Sequence, residues 1–221
     1  MTTQPRIVEV RARILKENDQ LARELRERFE AAGVCVVSFV SSPGSGKTTF
    51  LEKLLSMMGL KYRVAALVGD LATENDARRL GRACGQVKQI TTGTICHLDA
   101  KMIAAAIEEW TLADLDFLFI ENVGNLVCPS SYDLGEALRV VLLSTTEGED
   151  KPLKYPTIFN TADVALITKM DLAAAADFNL EAARCSIYSV RPGMQILEVS
   201  SKSGSGMEKV MHLLETTAEL Q

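Results

Sequence analysis

The chain has 221 residues, 47% hydrophobic and 24% charged, with 29 acidic against 24 basic side chains for a formal net charge of −5. That length serves one α/β domain with a substantial core, the acidic balance without a basic block argues against a nucleic-acid surface, and no apolar run approaches the roughly 18 residues of a membrane span. No basic-then-apolar leader is visible, so cytoplasmic residence is expected, with the five scattered cysteines as thiols or metal ligands instead of disulfides.

Residues 1–33 are dense in charge, with Ile14, Leu21, Leu25 and Phe29 at helical spacing across Arg6 to Ala32 and Gly33 placed to stop the helix. They predict an N-terminal amphipathic helix packed on the domain that follows, residues 34–221, and covering one face of a sheet. The apolar, β-branched run Val34 to Val40 predicts the first strand, and it runs directly into Ser41 to Thr49, SSPGSGKTT. Strand, glycine loop and lysine in that order build a phosphate cradle. The backbone N–H groups of Gly44, Ser45 and Gly46 converge on phosphate oxygens, and the helix beyond them adds its positive end. Lys47 is expected against the β- and γ-phosphates and the Thr48 hydroxyl on Mg²⁺, with Thr49 continuing into the amphipathic segment Phe50 to Met58. Ser41 stands where the usual pattern opens with glycine.

Further apolar runs alternate with helical patterns: Arg63 to Val68, Val87 to Thr91, Phe117 to Ile120, Val140 to Ser144, Val164 to Ile167 and Gln195 to Val199. They predict an α/β fold of three layers, a mostly parallel sheet flanked by helices, as in P-loop nucleotide hydrolases. Ligands of such sheets bind beyond the carboxyl ends of the strands. Two acids stand there. Asp70 follows Leu67-Val68-Gly69, and Glu121 ends the fourth strand, three residues before Gly124. Both are candidates to face Mg²⁺ with Thr48, which makes residues 70–78 and 121–128 candidate switch loops. No general base stands out; Asp76 or Glu121 is a candidate to position water, and Arg78 to act at the phosphates.

Base identity is suggested by Thr168-Lys169-Met170-Asp171 and by Ser200-Ser201-Lys202, each at a strand end. An Asp171 carboxylate can accept from the guanine ring N–H and its exocyclic amine, neither of which adenine offers. The Lys169 stem can lie across the base, and Ser201 and Lys202 can add contacts. Thr168 occupies the place where such readers carry Asn; it leaves an ATPase as a weaker alternative. The other reading of Asp171 is a helix cap before Ala173 to Ala176. Cys96 and His97 are adjacent and Cys128 follows Glu121 to Gly124 of the second candidate switch, so thiolate and imidazole donors suited to Zn²⁺ or Ni²⁺ lie near segments that move with nucleotide. The alternative is a buried thiol beside a capping histidine. Cys35, Cys84 and Cys185 sit within or beside apolar runs and read as core.

Four segments in one order, DLATENDA (Asp70 to Ala77), CHLDA (Cys96 to Ala100), ENVGNLVCPSSYDLGE (Glu121 to Glu136) and STTEGEDKPLKYP (Ser144 to Pro156), resemble the hydrogenase nickel-incorporation GTPases, the HypB-type maturation factors. The resemblance covers nearly the whole chain from about Ser38. It implies a metallochaperone-type P-loop GTPase with slow turnover and a nucleotide-dependent homodimer. Its Cys96, His97 and Cys128 would take Ni²⁺ or Zn²⁺ at the dimer interface. GTP, GDP and Mg²⁺ are the implied cofactors, and the hydrogenase large-subunit precursor and other maturation factors the implied partners, with neither nucleic acid nor membrane. Some members add an N-terminal cysteine motif or histidine run; no Cys or His precedes Gly33 here, so no separate metal site is expected there. Two alternatives stand beside this. One is a nucleotide-regulated metal-binding module without meaningful turnover. The other is a urease-maturation GTPase, which characteristically places a proline between its Cys and His.

Overall fold

Seven runs carrying Val, Leu, Ile and Phe become seven strands; in the five inner ones, covered by helices on both faces, apolar character is nearly continuous instead of alternating, while the edge strands QVKQIT and QILE are only partly buried. The computed structural model describes residues 6–71 and 75–220. The strands are β1 (Cys35–Ser41), β2 (Val64–Asp70), β3 (Gln86–Thr91), β4 (Phe117–Glu121), β5 (Leu138–Ser144), β6 (Val164–Thr168) and β7 (Gln195–Glu198). The helices are α1 (Arg6–Ala32), α2 (Lys47–Met58), α3 (Asn75–Leu80), α4 (Ala100–Ala106), α5 (Lys151–Lys154), α6 (Pro156–Thr161), α7 (Leu180–Val190) and α8 (Met207–Glu219). The sheet runs in the order β3, β2, β4, β1, β5, β6, β7, and every neighbouring pair is parallel. All strands therefore point their carboxyl ends to one edge, where β1 stands at the centre between β4 and β5.

Register places the chemistry. Glu121, the last residue of β4, lies opposite Phe39 near the end of β1. Asp70 and Thr168 likewise close β2 and β6. Beneath them one apolar layer, including Phe39, Phe50, Phe117 and Phe119, joins the sheet to α2 and α8. On the opposite face Ala22, Leu25 and Phe29 of α1 pack with Val36, Leu67 and Leu118 of the sheet and Ile103 of α4.

The buried stripe of α1 differs from the one its apolar residues suggest. Asn18, Ala22, Leu25 and Phe29 are buried and Leu21 only partly so, while Ile14 is 48% exposed. Asn18 replaces an apolar residue in the stripe because it meets two backbone groups there. Cys185 is a second correction: Ala183, Ser186 and Ile187 form the buried face of α7, and the helical turn carries Cys185 to the exposed side. Cys35 and Cys84 are buried, as expected of core thiols.

Candidate functional site

β1 ends at Ser41, and the chain turns through Ser42–Gly46 into α2. Gly44 and Gly46 adopt φ of 76° and 94°, a left-handed backbone that side chains disfavour. Gly46 is the N-cap of α2 and no side chain caps that helix, so its first N–H groups face the loop as an anion site. Ser41 is extended and has no need of glycine's freedom. Its hydroxyl donates to Ser42 O (2.8 Å) and accepts from Ser45 Oγ (2.5 Å) and Lys47 Nζ (2.9 Å). Burial holds the Lys47 ammonium below its ordinary pKa, against the upward pull of Glu121 and Asp76.

Glu121 is buried and accepts the Thr48 hydroxyl at 2.7 Å, while its Oε2 has no partner. Burial pushes its carboxyl up to about 7, with Lys47 and Thr48 pulling the other way. An unpartnered buried carboxylate oxygen beside a threonine hydroxyl is the hard-oxygen donor set that Mg²⁺ takes. Thr48, Glu121 and Asp70 would hold that ion, which when bound neutralises charge on the phosphates. Asp70, whose Oδ1 accepts from Leu71 N, lines the same cleft of about 490 Å³ as Gly44 to Thr49, Glu121 and Lys169. Asp76 and Arg79 also line it; Arg78 does not, being exposed. Arg79 is the correction to that expectation: it turns inward from α3 to bond Thr49 Oγ1 (3.1 Å) and Glu52 (2.7 Å). Ala72, Thr73 and Glu74 of the first candidate switch lie outside the described residues.

On the next loop Thr168 is buried and donates from Oγ1 to Ser45 O at 2.9 Å, so its hydroxyl ties the base-side loop to the phosphate loop. Lys169, at φ 57°, donates from Nζ to Gly44 O at 2.7 Å. Asp171 sits in the 3-10 turn Met170–Leu172, where its Oδ1 accepts from the buried Ser200 hydroxyl at 2.6 Å. It caps no helix: Ala173 to Ala176 form turns, and Asn179 is the N-cap of α7. Asp171, Ser201 and Lys202 do not line the phosphate cleft; they belong to the two loops beside it. Converting Asp171 to Asn exchanges one acceptor oxygen for a donor. Guanine nucleotide affinity is expected to fall at least about 10²-fold, and xanthine nucleotide, with an acceptor at the 2-position, to bind better than guanine; competition binding reads both.

Cys96, His97 and Cys128 are brought together. One ligand atom from each lies within 4.8 Å of the others, the one such group among the described residues. Cys96 Sγ approaches Cys128 Sγ to 2.8 Å, and the two sulfurs form no disulfide. His97 stacks on Tyr132, ring centroids 3.9 Å apart at 26°, and its buried Nδ1 has no partner. Two thiols and an unpartnered imidazole nitrogen are soft and borderline donors, suited to Zn²⁺ or Ni²⁺ and unsuited to Mg²⁺.

The two centres share residues. Asn122 directly follows Glu121, and its Oδ1 accepts from Leu98 N (3.1 Å), the residue after His97. Asn125 Nδ2 donates to Cys96 O (3.2 Å). Gly124 lies so close to the phosphate loop that a Cβ there would sit 3.0 Å from Pro43 Cα. Leu98 also fills the space where Gly69, just before Asp70, lacks a side chain.

A family model described as CobW/HypB/UreG, nucleotide-binding domain, matches residues 34–198. The chain belongs to this family. The hydrogenase maturation factor HypB of Azotobacter chroococcum is 47% identical over 205 residues, 93% of this chain and 67% of that protein. Among solved structures, HypB from Helicobacter pylori in complex with nickel shares 44% identity with a TM-score of 0.85, covering 92% of this chain and 96% of that one. HypB from Archaeoglobus fulgidus gives 37% identity and the same TM-score, over 92% and 99%. As a HypB-type family member the chain is a P-loop GTPase, and the maturation-factor resemblance read from its four segments stands.

What the sequence of this HypB-type chain leaves unseen are its amides. Asn18, Asn122 and Asn125 carry no periodic signal, and only the ENVGN spacing around Gly124 hinted at the last two. Arg79 was obscured by its neighbour Arg78, since a six-residue helix is too short for its phase to show.

Proposed function

We propose that this chain is a homodimeric GTPase whose nucleotide state sets its grip on Ni²⁺, the cargo it passes to the hydrogenase large-subunit precursor in the cytoplasm with other maturation factors. One observation carries the reading: Glu121, a ligand expected for Mg²⁺, adjoins Asn122, whose side chain bonds the backbone beside His97. The nickel complex of the Helicobacter pylori relative supports the choice of cargo.

In this reading GTP lies across Gly44 to Thr48, with Lys47 against the phosphates and Asp171 on the base. Water attacks the γ-phosphorus in line, helped by positioning and charge stabilisation, so turnover without a partner is slow. Gly124, packed on Pro43, moves with the phosphate loop and carries Asn122 and Asn125 with it. Each protomer offers three soft donors, and a two-fold axis through this surface offers six. The contiguous Cys96-His97 pair argues against the urease-type alternative, whose pattern interrupts it with proline.

Coupling of this kind is reciprocal, typically about 1–3 kcal/mol, or roughly 5- to 150-fold in affinity. Ni²⁺ titrations with GDP and with a non-hydrolysable GTP analogue are expected to differ by a factor in that range, with protein sizing reporting a dimer in the analogue state. Equal Ni²⁺ affinities would remove the switch. Stoichiometric GTP binding without meaningful phosphate release would favour the metal-module alternative.

A further inference from the structure

Three metal donors come from two chain segments, which Asn122 and Asn125 already join directly at Leu98 N and Cys96 O. Cys96 and His97 precede α4; Cys128 opens the 3-10 turn Cys128–Ser131. A third element spans the gap. Asn18 of α1 is buried, its Oδ1 accepting Ala100 N at 2.9 Å and its Nδ2 donating to Asp133 O at 2.9 Å. Ala100 is the first residue of α4, whose amide has no partner within its own helix. Asp133 adjoins Tyr132, the ring stacked on His97.

The amide orientation follows from its partners, because a backbone N–H requires the oxygen and a backbone carbonyl requires the NH₂. No other side chain type of that size serves both. Asp supplies only acceptors and turns one toward the Asp133 carbonyl. The second segment has further anchors on α1: Arg26 bonds both oxygens of Asp133 at 2.8 and 2.9 Å, and Gly135 sits where a Cβ would meet Ala22 O at 2.8 Å. Among the described hydrogen bonds, Asn18 is the one α1 side chain that also reaches the first segment.

We propose that Asn18 is a positioning residue for the Cys96, His97 and Cys128 site: beside the direct bonds of Asn122 and Asn125, its two hydrogen bonds hold Ala100 to Asp133, and with them the seating of His97 on Tyr132. This rests on the reading of those three residues as metal ligands. Holding the donors together before the metal arrives spares it the ordering entropy of two loops, and supporting residues of this sort typically change metal affinity by about 10–100-fold.

The test uses the full chain, thiols reduced, titrated with Ni²⁺ alone. The thiolate-to-Ni²⁺ charge-transfer absorption and the Kd are the readouts, with GDP affinity and Tm measured alongside. Asn18→Ala is expected to weaken Ni²⁺ binding about tenfold and to alter the charge-transfer band while GDP affinity stays unchanged. Asn18→Asp, nearly isosteric, keeps the Ala100 bond but sets an acceptor against the Asp133 carbonyl, so it too is expected to weaken Ni²⁺ binding; it carries the test if the alanine variant fails to fold. Phe29→Leu loosens α1 packing without touching either bond, and is expected to lower Tm but leave Ni²⁺ binding intact. Wild-type Ni²⁺ binding in both Asn18 variants, or an equal loss in Phe29→Leu, overturns the proposal. Absence of the band in wild type, or its persistence in Cys96→Ala, would show instead that the ligand reading had failed, and the proposal with it.

Discussion

Lys47→Ala is expected to suppress GTP hydrolysis by at least about 10²–10³-fold while the folded chain survives. The ammonium sits on the floor of the phosphate loop, bonded to Ser41, and its burial already costs it part of its charge preference. Once phosphate binds, that buried charge faces the bridging and terminal oxygens, where water cannot screen it and charge spreads during transfer. Truncation removes this stabilisation from the transition state, so kcat falls as well as affinity. The fold tolerates the change because the lysine is a buried ion whose removal also relieves its desolvation. A second consequence follows at Glu121. Lys47 pulls that carboxyl down from the value burial imposes, so without it the proton is held more tightly and Mg²⁺ meets a weaker ligand. Phosphate release at saturating GTP, with thermal melting as the fold control, settles the matter. Retained turnover would mean that this loop is not the catalytic phosphate site.

How much of this was visible in the residues depends on the kind of signal each carries. The strands were legible because parallel strands covered on both faces need continuous apolar runs, and Leu142, Leu166 and Phe119 occupy theirs with almost no exposure. The phosphate loop was legible because its parts are contiguous: β1, Gly44, Gly46 and Lys47 declare the local backbone without any tertiary knowledge. The metal donors were legible as residue types and as part of the resemblance. From the residues alone their meeting was not, since Cys96 and Cys128 belong to loops after β3 and β4, strands with β2 between them, and only the resemblance joined the three.

The misses share a physical cause. Cys185 and Ile14 were judged by their apolar character, yet exposure is set by helical phase and by where a helix meets its neighbours. On α7 the contact runs through Ala183 and Ile187, and among the described side chains of α1 the first buried one is Asn18. Thr168 shows the reverse case. Judged as a poor substitute for Asn at the base, it serves the contact with Ser45 O fully, because a single hydroxyl donor is all that carbonyl requires. In the proposed reading guanine discrimination then falls on Asp171, whose carboxylate accepts from the Ser200 hydroxyl.

Replacing Cys96, His97 or Cys128 singly by alanine is expected to abolish tight Ni²⁺ or Zn²⁺ uptake and to spare GDP binding. Zinc sites with four protein ligands bind with about 10–16 kcal/mol, roughly 3 kcal/mol for each ligand, so losing one of three weakens binding by about 10²-fold or more. The remaining pair is a poor site for either ion, since water must fill the vacated position, and each cysteine variant also removes one of the two thiolates. Nucleotide is spared because none of the three lines the phosphate cleft; what they share with it is the backbone bonding of Asn122 and Asn125. Cys185→Ala is the decisive control, because an exposed thiol is the side chain most able to bind metal adventitiously. Uptake measured at one equivalent, with proton release followed in weak buffer, is expected to be unchanged in Cys185→Ala and lost in the other three. Persistence of uptake in the Cys96, His97 and Cys128 variants, or its loss with Cys185, would place the metal elsewhere and break the link between nucleotide and cargo.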